Sequence, residues 1–377
     1  MRSLAALLAT LAFTASAHAQ SQTAIARFFP AFEQGQLVGC HVGFSVVEFG
    51  HGQPVVVAGV VAFGPLQNQP GSLATVVLLA DGRRVGLSEL TDLQLHTLQW
   101  AQEQAFATRI VCSSRGSKER AQAVEAAYDC VAAIMSERSL RKGASGHLDL
   151  GSNDAYFNLI LRLLQKQARN AGAIQPSFFE VGFGSGTILS RVAAAGFPVA
   201  GVEVSRALFD IAQTRVPTAI ARNLKRCGVM DVRKEDISQP TLIYWNDVME
   251  HIPADEILDV LNRLWELLAP GGWLLTVTPN WLLRPSDVTR DFCPPRTQSR
   301  GLHLKEYKLS EVVRLMRQAG FKRVSGPLCC VRNKFVVSGI SGTWPKMCLE
   351  PILDHLPLRW TYSWCARLAL SCSIAVK

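Results

Sequence analysis

Phe178-Phe179-Glu180-Val181-Gly182-Phe183-Gly184-Ser185-Gly186 decides how this chain folds. An apolar run ends at an acidic residue and enters three glycines at alternate positions. Ile188, Leu189 and Val192 then mark the apolar side of a helix that stops at Gly196. Glycines in a strand-to-helix turn let the backbone approach a ligand closely and adopt conformations closed to other residues. The Gly-x-Gly-x-Gly spacing alone separates nothing, because dinucleotide-binding folds use a related turn spaced G-x-G-x-x-G.

Working outward, residues 199–204 are an apolar strand except for Glu203 near its end. A carboxylate there can accept hydrogen bonds from both ribose hydroxyls of an adenosine ligand. Residues 241–245 form a further strand, followed by Asn246-Asp247-Val248-Met249-Glu250-His251-Ile252-Pro253. Ile257, Leu261, Leu264, Trp265 and Leu268 then line one face of a helix ended by Pro270-Gly271-Gly272, and residues 273–278 form a fifth strand. Upstream, apolar residues at 156, 157, 160, 163 and 164 have helical spacing. Short apolar strands alternating with amphipathic helices argue for an α/β fold, a parallel sheet covered by helices on both faces.

With these features in order, residues 150–377 resemble the class I, Rossmann-like S-adenosylmethionine-dependent methyltransferases. The resemblance rests on the Glu-x-Gly-x-Gly-x-Gly stretch from Glu180, the acidic end of the second strand, the Asp247-to-Ile252 run and the Leu-x-Pro-Gly-Gly stop. Thr278-Pro279-Asn280, Pro285-x-Asp287-Val288 and Gly301-Leu302-His303-Leu304-Lys305-Glu306-Tyr307 look like a bacterial subgroup of these enzymes. The resemblance implies a seven-stranded, mostly parallel sheet, with strands six and seven at residues 321–324 and 371–376. Ser310 is expected to cap the helix that stops at Gly320.

The resemblance and the physics together imply roles. Gly182, Gly184 and Gly186 line the methionine and ribose part of S-adenosylmethionine, and Glu203 holds the ribose. Glu180 supports that loop or reaches the cofactor's amino group. Asp236, with Ile237 behind it, stands where the family places an adenine-contacting acid; Asp231 competes for that role. Asn246 and Asp247 flank the methionine moiety. Methyl transfer mainly needs a nucleophile aligned with a sulfonium that is already a good leaving group. A hydroxyl acceptor also benefits from a base, for which His251 and His303 are the candidates. An amine or carbanion acceptor would need none.

Residues 1–19 read as a signal peptide: Arg2, an apolar stretch from Leu4 to Ala17, and Ala17-His18-Ala19 before Gln20. Residues 20–98 read as a small β-rich domain with a hairpin turn at Asp81-Gly82, and residues 99–149 as a helical connector. The ten cysteines show no CxxC pair and no metal-ligand spacing with histidine, so no metal is expected from them. A disulfide among Cys40, Cys112 and Cys130 is compatible with export. The net charge of +9 comes without a long basic run. No basic stripe is interleaved with aromatics, which argues against nucleic acid. Expected acceptors are a small molecule or a glycan- or lipid-linked group, the latter by analogy with the subgroup. Trp344, Trp360 and Trp364 lie among basic residues in a long stretch before the last strand. Packing is the favoured account of them; a substrate lid or a peripheral membrane contact is the alternative. A signal peptide points to export and the methyl donor to the cytoplasm, so the two disagree about location. A nicotinamide oxidoreductase is disfavoured by the glycine spacing and by the run after Asp247. A non-catalytic secreted binding protein is disfavoured by the retention of Gly182 and Glu203.

Overall fold

The computed structural model describes residues 22–33, 36–48, 55–62, 76–142, 153–170, 175–332, 334–337 and 343–377, the first three segments by their backbone alone. The signal-peptide segment and the side chain of Cys40 lie outside the described residues. Strands β1 (Gln22–Glu33), β2 (Gln36–Glu48) and β3 (Val55–Ala62) form an antiparallel sheet. Strands β4 (Val76–Leu78) and β5 (Arg84–Gly86) form a hairpin whose turn holds Gly82 at φ 86°.

Two long helices follow, α1 (Asp92–Cys112) and α2 (Lys118–Arg141). Helix α1 thus begins inside the stretch read as β-rich. A capping box starts it: the Thr91 hydroxyl accepts the Gln94 N–H at 3.2 Å, and the Gln94 side chain accepts the Thr91 N–H at 2.7 Å. Cys112 and Cys130 are both free thiols.

The remaining elements are α3 (Asp154–Asn170), β6 (Phe178–Val181), α4 (Thr187–Ala194), β7 (Val199–Glu203), α5 (Arg206–Arg215), α6 (Thr218–Ala221), β8 (Leu224–Arg226), β9 (Leu242–Asn246), α7 (Ile257–Leu267), β10 (Trp273–Val277), α8 (Leu309–Gln318), β11 (Arg323–Ser325), β12 (Cys329–Val331), β13 (Lys334–Val336), α9 (Thr343–His355), α10 (Leu358–Arg367) and β14 (Cys372–Val376). Seven strands form one sheet in the order β11-β14-β10-β9-β6-β7-β8. Neighbours from β10 to β8 run parallel, while β14 is antiparallel to both β10 and β11. The expected mostly parallel seven-stranded sheet is therefore present. A dinucleotide-binding sheet instead is ordered 3-2-1-4-5-6, with no antiparallel seventh strand inserted between the fifth and sixth.

Alternate strand residues face opposite sides of a sheet, and here both sides are apolar. Phe179, Val181, Ile243, Trp245 and Leu274 pack with Leu261 and Leu264 of α7 and with Val312 and Met316 of α8. Phe178, Leu242, Tyr244 and Leu275 pack with Leu159 and Leu163 of α3 and with Leu189 and Val192 of α4. Strand order reverses at β6. In open α/β sheets the crevice beyond the strand ends at such a point receives the ligand.

Two expectations are corrected. Ser310 does not cap α8. Instead the N–H groups of Leu309 and Ser310 donate to the Glu350 carboxylate of α9 at 2.6 and 3.1 Å, and the Lys308 N–H donates to Glu311 at 3.1 Å. Trp344, Trp360 and Trp364 are not packing residues: they are 70%, 51% and 40% exposed. Among the described residues no helix is long and apolar enough to cross a membrane.

Candidate active site

One end of the site is built from the turns that leave β6, β7 and β9. Gly182, Gly184 and Gly186 all take positive φ, at 69°, 55° and 75°. A Cβ on Gly182 would meet Val248 Cγ2 at 2.7 Å, and one on Gly186 would meet Val216 Cγ1 at 2.8 Å. Only glycine permits both the backbone conformation and the close approach of the turn after β6 to that after β9. Glu203 ends β7 with its carboxylate buried. One oxygen accepts the Gly184 N–H and the other the Ser205 N–H, each at 2.9 Å. Burial raises its pKa, opposed by those N–H groups. A carboxylate has roughly four acceptor sites, so each oxygen keeps a lone pair for a further donor. Glu180 Oε2 is buried without a partner. Burial, then the nearby Glu203 charge, pushes the Glu180 pKa well up. Glycines that hold the backbone close, a carboxylate with spare acceptor capacity and an orphaned acid suit a ligand with ribose hydroxyls and a cationic amino acid end.

Asn246 donates to Asp247 Oδ2 at 3.0 Å, and Asp247 sits at φ 51°. Its side chain is reachable by solvent, yet burial still raises its pKa. That combination marks a residue on a pocket wall. Ile237 packs against the hydrophobic core and Asp231 is exposed. The side chain of Asp236 lies outside the described residues; its backbone closes a short turn at Lys234–Asp236.

Beyond Asp247 lies a cluster that includes both candidate histidines. His251 and His303 meet edge to face, with centroids 4.8 Å apart. His251 Nδ1–H donates to the Leu302 carbonyl at 2.9 Å, so its Nε2 carries the lone pair. His303 Nδ1 lies 3.2 Å from both Glu306 Oε1 and Ser286 Oγ. Glu306 Oε1 also accepts the Ser286 N–H at 2.7 Å. Burial, with the His303 charge behind it, pushes His251 down to about 3. Burial also works against the His303 cation, but Glu306, Glu250 and Asp287 outweigh it and raise His303 to about 9. Glu250 is fully buried: Oε2 accepts the Thr278 hydroxyl at 2.9 Å, while Oε1 has no partner. Burial raises its pKa too.

The loop carrying His303 is held from several sides. The Gly301 N–H donates to Asp287 at 3.0 Å, the Leu302 N–H to Glu103 of α1 at 3.3 Å, and the Lys305 N–H to the Glu250 carbonyl at 3.1 Å. A Cβ on Gly301 would lie 2.5 Å from Glu103 Oε2 and 2.6 Å from Asp287 Oδ2.

Helices α1 and α2 do more than connect. Tyr128 of α2 stacks edge-on to His251 at 5.5 Å. Burial raises the Tyr128 pKa, followed by the charges of Glu250, Glu203 and Glu103. Tyr128 therefore lies in the field of both Glu203 and the histidine cluster. Arg120 of α2 is buried, and its guanidinium reaches Asp255 at 2.9 Å and Glu256 at 2.7 Å. Leu302 shares a core with Leu95, Leu98 and Phe106 of α1. Reading the sequence missed Tyr128, Glu103, Glu250 and Glu306. Glu250 and Glu306 stood within recognised motifs; Tyr128 and Glu103 had no local signal.

Residues 150–325 match a family model described as a methyltransferase domain. No curated protein matches the chain. Solved structures resemble it in outline. A plantazolicin methyltransferase is 13% identical, with 69% of this chain and 99% of that one covered at a TM-score of 0.43. A magnesium protoporphyrin IX methyltransferase from Synechocystis PCC 6803 is 15% identical, covering 57% and 95% at 0.39. A methyltransferase from Archaeoglobus fulgidus is 12% identical, covering 59% and 94% at 0.37. Likeness this distant says nothing about the acceptor. The family match and the sheet order together identify residues 150–325 as a methyltransferase domain of the Rossmann-like class, whose methyl donor is S-adenosylmethionine.

Proposed function

We propose that this chain is an active methyltransferase that places the methyl group of S-adenosylmethionine on an oxygen of a small-molecule or glycan- or lipid-linked acceptor. The observation that carries this reading is the anchoring of His251, in the turn after β9, with its Nδ1–H tied to Leu302 and its Nε2 left as a lone pair. In this reading Gly182, Gly184 and Gly186 hold the donor's methionine and ribose, with Glu203 on the ribose hydroxyls and Glu180 toward the amino group. Asn246 and Asp247 flank the methionine part, and Asp236 with Ile237 borders the adenine. When bound, the donor supplies an electrophilic methyl on a sulfonium. The protein's own work is alignment, exclusion of water and movement of one proton. His251 Nε2 takes the acceptor hydroxyl's proton, and His303, paired with Glu306, orients it. Tyr128 and the two helices behind it cover this end and keep water out.

The exposed Trp344, Trp360 and Trp364, beside basic residues such as Arg359, support a lipid- or glycan-linked acceptor presented at a membrane surface. The test is to incubate the full chain with isotopically labelled S-adenosylmethionine and panels of hydroxylated small molecules, glycolipids and lipid-linked sugars. Label on an acceptor oxygen is expected. Label confined to nitrogen or carbon would refute the oxygen assignment.

A further inference from the structure

We propose that Glu250, His251 and His303 form a binding site for one divalent first-row transition-metal ion. One ligand atom from each of the three lies within 4.8 Å of the others, close enough for a modest contraction to bring all three onto one ion. Both imidazoles are arranged as metal-binding histidines are. In such sites the ring nitrogen away from the metal is anchored by a carbonyl or carboxylate, which fixes the ring's orientation and tautomer. Here Leu302 O anchors His251 Nδ1 at 2.9 Å, and Glu306 anchors His303 Nδ1 at 3.2 Å. Ser286 Oγ also reaches His303 Nδ1 at 3.2 Å, so each ring keeps Nε2 for a ligand, and among the described residues no hydrogen bond to either Nε2 is found.

Glu250 supplies the independent observation. Its Oε1 is buried without a partner, while Oε2 is satisfied by Thr278. A buried carboxylate oxygen left unpaired costs free energy, which a bound cation would offset. Further carboxylates stand around the cluster: Asp287 holds the Gly301 N–H at 3.0 Å, and Glu306 lies 3.2 Å from His303. Two imidazole nitrogens with one carboxylate oxygen suit zinc, manganese, iron or cobalt better than calcium or magnesium, which prefer oxygen donors throughout. This site was not visible in the cysteine-based search of the sequence, because Glu250-His251 and His303 are brought together only by the loop at residues 301–305. In the loaded protein His251 acts as a ligand and no longer as a free base. The inference itself does not depend on methyl transfer.

The experiment uses the full chain, stripped with chelator and titrated with Zn2+ or Co2+ alone. One equivalent is expected to bind, with Co2+ or Zn2+ X-ray absorption showing two imidazole ligands and no sulfur. His251→Ala and His303→Ala should each weaken binding by more than the roughly 10- to 100-fold that loss of a mere supporting partner costs. A Cys329→Ser, Cys330→Ser double variant should bind as the parent does. Absence of stoichiometric binding by either ion, or sulfur in the coordination shell of the parent protein, would overturn the proposal. So would parental affinity in a His251→Ala, His303→Ala variant. If the histidine variants do not fold, the absorption spectrum of the parent still decides.

Discussion

The hydroxyl of Ser205 donates to Oδ1 of Asp129 across 2.7 Å, joining the second N-terminal helix to the residue that caps α5. The same Asp129 oxygen accepts the Ala207 N–H at 3.2 Å, and Ser205 Oγ accepts the Leu208 N–H at 3.3 Å. Ser205 in turn donates its backbone N–H to Glu203. The covering helix and the proposed ribose acid are thus two hydrogen bonds apart. Asp129→Ala removes an N-terminal acceptor and should cost about 1 kcal/mol, lowering the melting midpoint by roughly 2–4 °C. Calorimetry measures that fall. A matching few-fold loss of donor affinity is expected, and an unchanged affinity would separate the helix from the pocket.

Glu203→Ala should weaken donor binding and stability together. Lost charge-assisted bonds to the ribose cost on the order of 1.5–3 kcal/mol each, roughly ten-fold or more in affinity. The stability loss follows from the Gly184 and Ser205 N–H groups, which lose their acceptor. Titration with S-adenosylhomocysteine and a thermal melt read the two effects separately. An unchanged dissociation constant would mean that Glu203 does not face the ribose.

Gly301→Ala tests the loop that positions His303. Two carboxylate oxygens stand 2.5 and 2.6 Å from where the new Cβ would be, so the loop must move. Turnover should fall at least about ten-fold while donor affinity holds, since misplacing reacting groups by about 1 Å can cost 10²-fold. Gly82→Ala is the control: Gly82 has the positive φ that Gly301 lacks, but nothing lies within 4 Å of its added Cβ. It should lose on the order of 1 kcal/mol of stability and no turnover. Equal turnover in the two variants would show that the position of His303 is unimportant.

His251→Ala should reduce turnover about 10²- to 10⁴-fold, with S-adenosylhomocysteine binding retained. Steady-state kinetics on an identified hydroxyl acceptor, paired with calorimetric binding, makes the comparison. Full activity would mean that alignment alone drives transfer.

The strand from Phe178, its glycine turn, Glu203 and the run after Asn246 were legible because each is a short-range pattern: apolar periodicity, glycine spacing and an acid at a strand end. The α1 start was equally legible in Thr91-Asp92-Leu93-Gln94, a capping-box sequence that the β-rich reading passed over. Other features were hidden for a different reason. Glu350 caps a helix that begins 41 residues earlier in the chain, and Glu103 binds the Leu302 N–H across 199 residues. Such contacts follow from tertiary packing and leave no local trace. The two histidines could be named from their motifs. Their different anchoring, one on a carbonyl and one on a carboxylate, could not, because Leu302, Glu306 and Ser286 acquire those roles only when the loop closes against Glu250.

The most direct test of the central claim is calorimetric titration of the full chain with S-adenosylmethionine and, separately, with NAD. The glycine turn, the buried Glu203 and the antiparallel β14 predict saturable binding of S-adenosylmethionine at one site per chain and no heat from NAD. Saturable binding of NAD with no response to S-adenosylmethionine would contradict the account.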